Sequence, residues 1–328
     1  MTTVDTHVHL LASSVKFNRP FDKFAVGFFA RKFGLNAREL LKNPYEAYVK
    51  GLITNARESK FVDKIALFGV DAKVDERGRE LHRDATVCAT NEDVLAVARA
   101  YPDVVAPFFS VNPLRPDALD LIDRYYEAGF KGAKFLQNYW GVDTREAKFR
   151  AYFEKLKALN LPLIIHVGNE NTVASAREYE GLEMLSQPAQ IGVNTICAHM
   201  AIRYEGAHPF KALSKKPENF GAEYFKLLEM LETTPNLYAD VSAILTPARA
   251  RALRHLSAQT RIHGKLLYGS DFPVPYSAIY NSYDLKFCKR LELHREPNAF
   301  DRGVRAVMEY FGEDNAIWSN YKKILDLG

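Results

Sequence analysis

The chain opens Met1-Thr2-Thr3-Val4-Asp5-Thr6-His7-Val8-His9-Leu10. Asp5, His7 and His9 recur with period two, and on a β-strand that period places all three on one face. Two imidazoles two residues apart on a strand can bind one metal ion side by side. A carboxylate on the same face, Asp5, would orient them from behind. The pair alone says little, because a chain with 9 histidines in 328 residues produces such spacings by accident. Its meaning depends on whether later strands supply further ligands at matching places.

The bulk composition narrows the setting. The 328 residues are 47% apolar and 26% charged, an ordinary globular balance, and the length suits an α/β barrel with insertions. The formal net charge of +4 is small, and no Lys/Arg run suggests a nucleic-acid track. Cys88, Cys197 and Cys288 are scattered, without a Cys-x-x-Cys pair, which argues against a disulfide framework. No apolar run approaches the roughly 18 residues of a membrane span, and the N-terminus runs directly into a strand pattern. The expectation is a soluble, cytoplasmic protein of one domain over 1–328, acting on a small molecule, with neither nucleic acid nor membrane as partner.

Beyond the first strand, apolar runs at 64–70, 104–111, 131–136, 161–167, 195–199, 237–241 and 265–268 read as strands. Helical patterns separate them. One over 44–61 precedes the second strand, one from Asn91 as cap runs to 101, and one over 117–129 carries Leu119, Ile122 and Tyr126 on a side. Others follow Thr144 as a cap, then over 172–185, 222–231, 247–256 and 300–311. Between the first strand and 60 lies a long helical insertion. Its Phe21, Phe24, Phe28 and Phe29 read as a core-facing stripe; the alternative is a lid or a subunit contact in a homodimer. Eight strands in β-then-α order imply a parallel sheet, and eight units imply a closed (β/α)8 TIM barrel.

Functional side chains of such a barrel gather at the C-terminal ends of its strands. Strand 1 ends in His7 and His9. Leu163-Ile164-Ile165 leads to His166, Thr195-Ile196-Cys197-Ala198 to His199, and Leu267-Tyr268-Gly269-Ser270 to Asp271. Any one of these alone is more often structural: a hydrogen-bonded histidine, or an aspartate capping a turn. Four imidazoles and a carboxylate on one rim form a set suited to a divalent metal. Cys197 reads as a small core residue.

Asp5-Thr6-His7-Val8-His9, His166, His199 and Gly269-Ser270-Asp271-Phe272-Pro273 together resemble the amidohydrolase superfamily. The likeness is greatest to its branch of compact barrels, the amidohydrolase-related (family 2) hydrolases, lactonases and non-oxidative decarboxylases. Ser319-Asn320-Tyr321 through Leu325 resembles the usual Gly-Asn-Ala ending, with Ser where Gly is common. The resemblance implies that His7, His9, His166 and Asp271 bind one divalent ion, zinc with manganese as the alternative. It implies Asp271 and His199 as catalytic residues. The donor set agrees: imidazole nitrogens and a carboxylate suit a borderline ion that brings the pKa of a bound water toward about 7. Asp271 would take that water's proton and His199 would polarise a carbonyl.

Lys134 lies near the rim end of strand 4. The adopted reading is one metal with Lys134 facing the substrate; the alternative, a carbamylated Lys134 bridging two metals, follows binuclear members of the superfamily. Trp140 for stacking and Arg203 for a substrate carboxylate are further candidates, and Asp240 in strand 7 either orients a ligand or pairs locally. The reaction expected is hydrolysis of a small amide, ester or lactone. The alternative is non-oxidative decarboxylation of an aromatic or unsaturated acid at the same metal.

Overall fold

A computed structural model describes residues 1–17, 26–27, 30–31, 34–170, 172–202, 214–274, 276–282 and 284–327. Eight strands alternate with helices: β1 (Thr3–His9), β2 (Val62–Phe68), β3 (Val105–Pro107), β4 (Ala133–Phe135), β5 (Leu163–Ile165), β6 (Thr195–Cys197), β7 (Leu237–Asp240) and β8 (Leu266–Leu267). All their pairings are parallel and fall into two arcs, β1-β2-β3 and β8-β7-β6-β5-β4. Backbone hydrogen bonds join the arcs at both seams. Phe109 N donates to Gly132 O at 3.0 Å and Lys134 N to Phe109 O at 2.8 Å; Thr6 N donates to Tyr268 O at 3.0 Å and His9 N to Phe272 O at 2.8 Å. The architecture is a (β/α)8 barrel, with a helical insertion after β1.

The helices between the strands are α1 (Pro44–Glu58), α2 (Asn91–Ala100), α3 (Ala118–Glu127), α4 (Arg150–Ala158), α5 (Ser186–Ile191), α6 (Ala222–Thr233), α7 (Leu253–Ser257) and, after β8, α8 (Ala299–Phe311). Pro44 starts α1, where its missing N–H costs nothing. Thr90, not Asn91, caps α2, in a capping box with Asp93. Asn91 instead clamps the backbone of Ser110, donating to its carbonyl at 2.9 Å and accepting from its N–H at 2.8 Å. The buried stripe of α3 is Ala118, Ile122 and Tyr125, so Leu119 and Tyr126, both expected inside, are exposed. Thr144 caps nothing; its hydroxyl donates to Met184 O at 2.8 Å. The helix expected over 172–185 is two 3₁₀ turns, Arg177–Tyr179 and Leu182–Leu185, broken at Gly181. The stripe Phe21, Phe24, Phe28 and Phe29 lies outside the described residues. Among the described residues, no helix is long and apolar enough to cross a membrane.

The apolar interior has two compartments. One lies between strands and helices and includes Val8, Ile65, Leu67, Ala133 and Phe135. The other fills the barrel with Val4, Ala66, Phe68, Phe108, Ile164, Ile196 and Leu267, together with Ile324 and Leu325. This division corrects the reading of the first strand. The ladder shifts register between Asp5 and Val8. Val4 faces the barrel interior, whereas Val8 belongs to the outer layer, and Asp5 pairs with outer-layer Ile65. An extra residue in a strand reverses its alternation. Asp5 therefore does not share the face of His7 and His9.

Candidate metal centre

His7 and His9 sit over Phe68, whose ring meets both imidazoles edge-on with centroids 5.0 and 4.7 Å away. His7 Nδ1 donates to Asp240 Oδ2 at 2.7 Å, so its Nε2 lone pair points the other way. Asp271 arrives from the far end of β8 and closes the group. Its Oδ1 is 3.2 Å from His9 Nε2 and 3.5 Å from His7 Nε2. One donor atom each from His7, His9 and Asp271 falls within 4.8 Å of the others. Gly269 permits this approach: a Cβ there would lie 2.9 Å from the Cβ of His7.

His166 and His199 stand beside this trio. The His199 ring is centred 5.0 Å from both His7 and His166. His166 lies outside the tight three-residue set, yet its Nε2 is buried with no hydrogen-bond partner. A buried polar atom without a partner is costly, and a bound cation would satisfy it. His199 Nδ1 meets Ser242 Oγ at 2.8 Å, and Ser242 Oγ donates to Asp240 Oδ1, which also accepts from the His199 N–H at 3.0 Å. One buried carboxylate thus holds His7 directly and His199 through a serine. His199 and Asp271 both have left-handed backbone, φ 61° and 64°, which non-glycine residues adopt at a cost.

The electrostatics suit a cation. Burial holds His166 down at about 4 against the pull of Glu170, and lowers His7 and His199 as well. These three rings are neutral ligands at pH 7. Burial alone would raise Asp271, but its hydrogen bond to His9 and the charges of His7, His9 and Lys134 hold it at about 2. Contacts with His7, His199 and Ser242 likewise outweigh burial and depress Asp240. Asp5 behaves differently. Burial pushes it up to about 7, and its Oδ1 accepts from the Ser270 N–H at 2.8 Å rather than touching an imidazole ring.

Lys134 is where the sequence placed it, inside the rim. Its Nζ is 3.2 Å from His7 Nε2 and 5.2 Å from the Phe68 ring centre, and burial lowers it to about 8. Trp140 is not where expected. Its indole packs edge-on against Phe135 and donates to Asp71 O at 2.8 Å, away from the cavity. The short helix Gln137–Trp140 turns it back into the outer core, which corrects the stacking assignment. Arg203 lies outside the described residues.

In front of the histidines opens a cavity of about 890 Å³, lined by His9, Lys134, His166, His199 and Asp271 among others. Two lining residues had been overlooked. Arg249 follows β7 in the short helix Pro247–Ala250 and acts electrostatically on both His166 and His199. Tyr48 of α1 donates to His9 O at 2.5 Å. Arg249 had a signal, a cation within an apolar run after a strand end; Tyr48, 39 residues from His9, had none.

The amidohydrolase family model matches residues 4–317. The chain belongs to the amidohydrolase family. No curated protein matches this amidohydrolase. Solved structures share its fold at low identity. One is a probable 2-pyrone-4,6-dicarboxylic acid hydrolase from Acinetobacter baumannii with citric acid bound (15% identity, 95% of this chain and 100% of that one, TM-score 0.54). Another is a Burkholderia multivorans amidohydrolase with bound zinc (15%, 99% and 99%, TM-score 0.51). A third is 5-carboxyvanillate decarboxylase from Novosphingobium aromaticivorans with bound manganese (15%, 98% and 96%, TM-score 0.52). Metals are thus held in barrels of this fold, and the donors gathered here fit one.

Proposed function

We propose that this amidohydrolase is a metal-dependent hydrolase of a small ester, lactone or amide. The observation that carries the reading is the convergence of His7 Nε2, His9 Nε2 and Asp271 Oδ1 at the floor of a large cavity, with Asp240 fixing His7 from behind. His166, through its unpartnered Nε2, completes the ligand set. A divalent ion there, zinc by the donor chemistry and manganese as the alternative, supplies an activated water and a polarised carbonyl. Asp271 stays ionised at neutral pH and accepts the proton of the attacking water, then passes it to the leaving group. Ser242 holds His199 by Nδ1, which leaves Nε2 to steady charge developing on the substrate oxygen.

Non-oxidative decarboxylation is the second reading, favoured by one observation. Arg249 and Lys134 both line the cavity, so a substrate carboxylate can be held beside the histidines. The cysteines are all free, which supports a reducing, cytoplasmic setting.

Elemental analysis of wild type, His166→Ala and Asp271→Asn tests the centre. About one zinc or manganese per wild-type chain, lost in both variants, is the expected result. Two metals per chain would instead give Lys134 a bridging role, and none after reconstitution would overturn the assignment. Product analysis then separates the reactions: ring or bond opening marks the hydrolase, and carbon dioxide release marks the decarboxylase.

A further inference from the structure

The cavity is divided by chemistry along the line that divides the barrel. The segment between β1 and β2 contributes Leu11, Phe17, Val26, Leu35 and Leu40, and Val70 follows β2. The loops after β4 to β8 contribute Lys134, His166, Glu170, His199, Arg249 and Asp271. The three-strand arc therefore carries an aliphatic wall, and the five-strand arc a charged one. At about 890 Å³ the cavity lies toward the upper end of the roughly 300–1,000 Å³ usual for small-molecule sites. A head group at the histidines leaves most of that space over aliphatic side chains.

Charge balance narrows the occupant. Among the described lining residues, the cations are Lys16, Lys134 and Arg249, and the carboxylates are Asp84, Glu170 and Asp271. Lys134 and Asp271 both face His7. Lys16 is exposed. Beside the histidines, Arg249 is the remaining cation. A second carboxylate on the far end of a substrate would meet Leu35 and Leu40, or the carboxylate of Asp84. Burying a charge without a partner is costly.

We propose that the substrate is an amphipathic molecule: one acyl or carboxylate head placed between the histidine cluster and Arg249, and an uncharged hydrocarbon body lying on the wall built by the segment after β1. The proposal rests on this cavity being the substrate site of the proposed metal hydrolase, and it deepens that reading by naming the substrate class. Leu35, Leu40 and Phe17 are its specificity-determining residues. It sets this chain apart from an enzyme for a doubly charged ring acid, which needs a second cation at the far end.

Calorimetric titration of the purified holoprotein with butyrate, octanoate and octanedioate tests it. Each methylene buried on an aliphatic wall contributes about threefold to affinity. Octanoate is expected to bind roughly 50-fold tighter than butyrate. Octanedioate, of equal length with a second carboxylate, is expected to bind at least about 10-fold more weakly than octanoate. Phe17→Lys, at a half-buried position, should reverse that second preference. Arg249→Met should weaken butyrate and octanoate by the same factor and leave the ratio between them intact. Octanoate within about threefold of butyrate, or octanedioate as tight as octanoate, would overturn the proposal. Failure of the hydrolase reading shows separately, as no ester or lactone turnover by a metal-loaded protein that still displays this binding order.

Discussion

His7 and Asp240, 233 residues apart, meet through a 2.7 Å hydrogen bond at which neither side chain is exposed to solvent. The bond fixes which nitrogen of His7 carries the proton and which is offered to a cation. Asp240 also accepts from the His199 N–H and from Ser242, so one carboxylate orients both sides of the centre.

Asp240→Asn should therefore weaken metal binding without removing a ligand. Loss of an outer carboxylate partner typically costs about 10–100-fold in metal affinity. Competition with a chelator measures it. Affinity equal to wild type would show that His7 is held by packing alone.

Lys134 pulls the other way. Its folded pKa of about 8 lies below the ordinary lysine value, so at pH 7 the buried ammonium is charged at a cost. Lys134→Met should stabilise the metal-free protein by roughly 1–3 kcal/mol in urea unfolding at pH 7 and lower turnover. A destabilised variant would mean that the amine is needed to satisfy His7 Nε2.

The metal-free protein should lose stability on mild acidification. The folded pKa of His166 is about 4, below the ordinary histidine value of about 6.5. The unfolded chain then binds more protons between these values. The contribution is complete above about 6.5 and is lost as pH falls toward 4, on the order of 3 kcal/mol from this ring. His7 and His199 act in the same direction. Urea midpoints at pH 7 and pH 5 in the presence of a chelator check this; equal midpoints would contradict it.

Trp140→Phe separates a core role from a substrate role. The indole's hydrogen bond to Asp71 O and part of its packing against Phe135 are lost, so stability should fall by about 1–2 kcal/mol. Ligand affinity should not change. A large rise in KM with unaltered stability would return Trp140 to the site.

Much of the centre was legible because each element announces itself locally. An apolar run ending in His166, His199 or Asp271 is a strand with its functional end marked, whatever the strand pairs with. The errors share a cause. Asp5 was assigned to the His7 face by alternation, and a register shift set by pairing with β2 reversed it. Leu119 and Tyr126 fit one helical stripe as well as Ala118 and Tyr125 fit another, and docking on the barrel chose the second. Trp140 follows a strand like a rim residue, and the turn after β4 carries it into the outer core.

The sequence by itself determined the order of strands and helices, the five polar residues at strand ends and the family, since periodicity and motif spacing are properties of neighbouring residues. Only the tertiary structure decided that Asp240 rather than Asp5 orients His7, that Arg249 and Tyr48 face the cavity, and that one wall of it is aliphatic. Those facts depend on closing the barrel. Closure brings β1 between β2 and the residues after β8, and sets side chains hundreds of positions apart within hydrogen-bond reach. No local pattern encodes that distance.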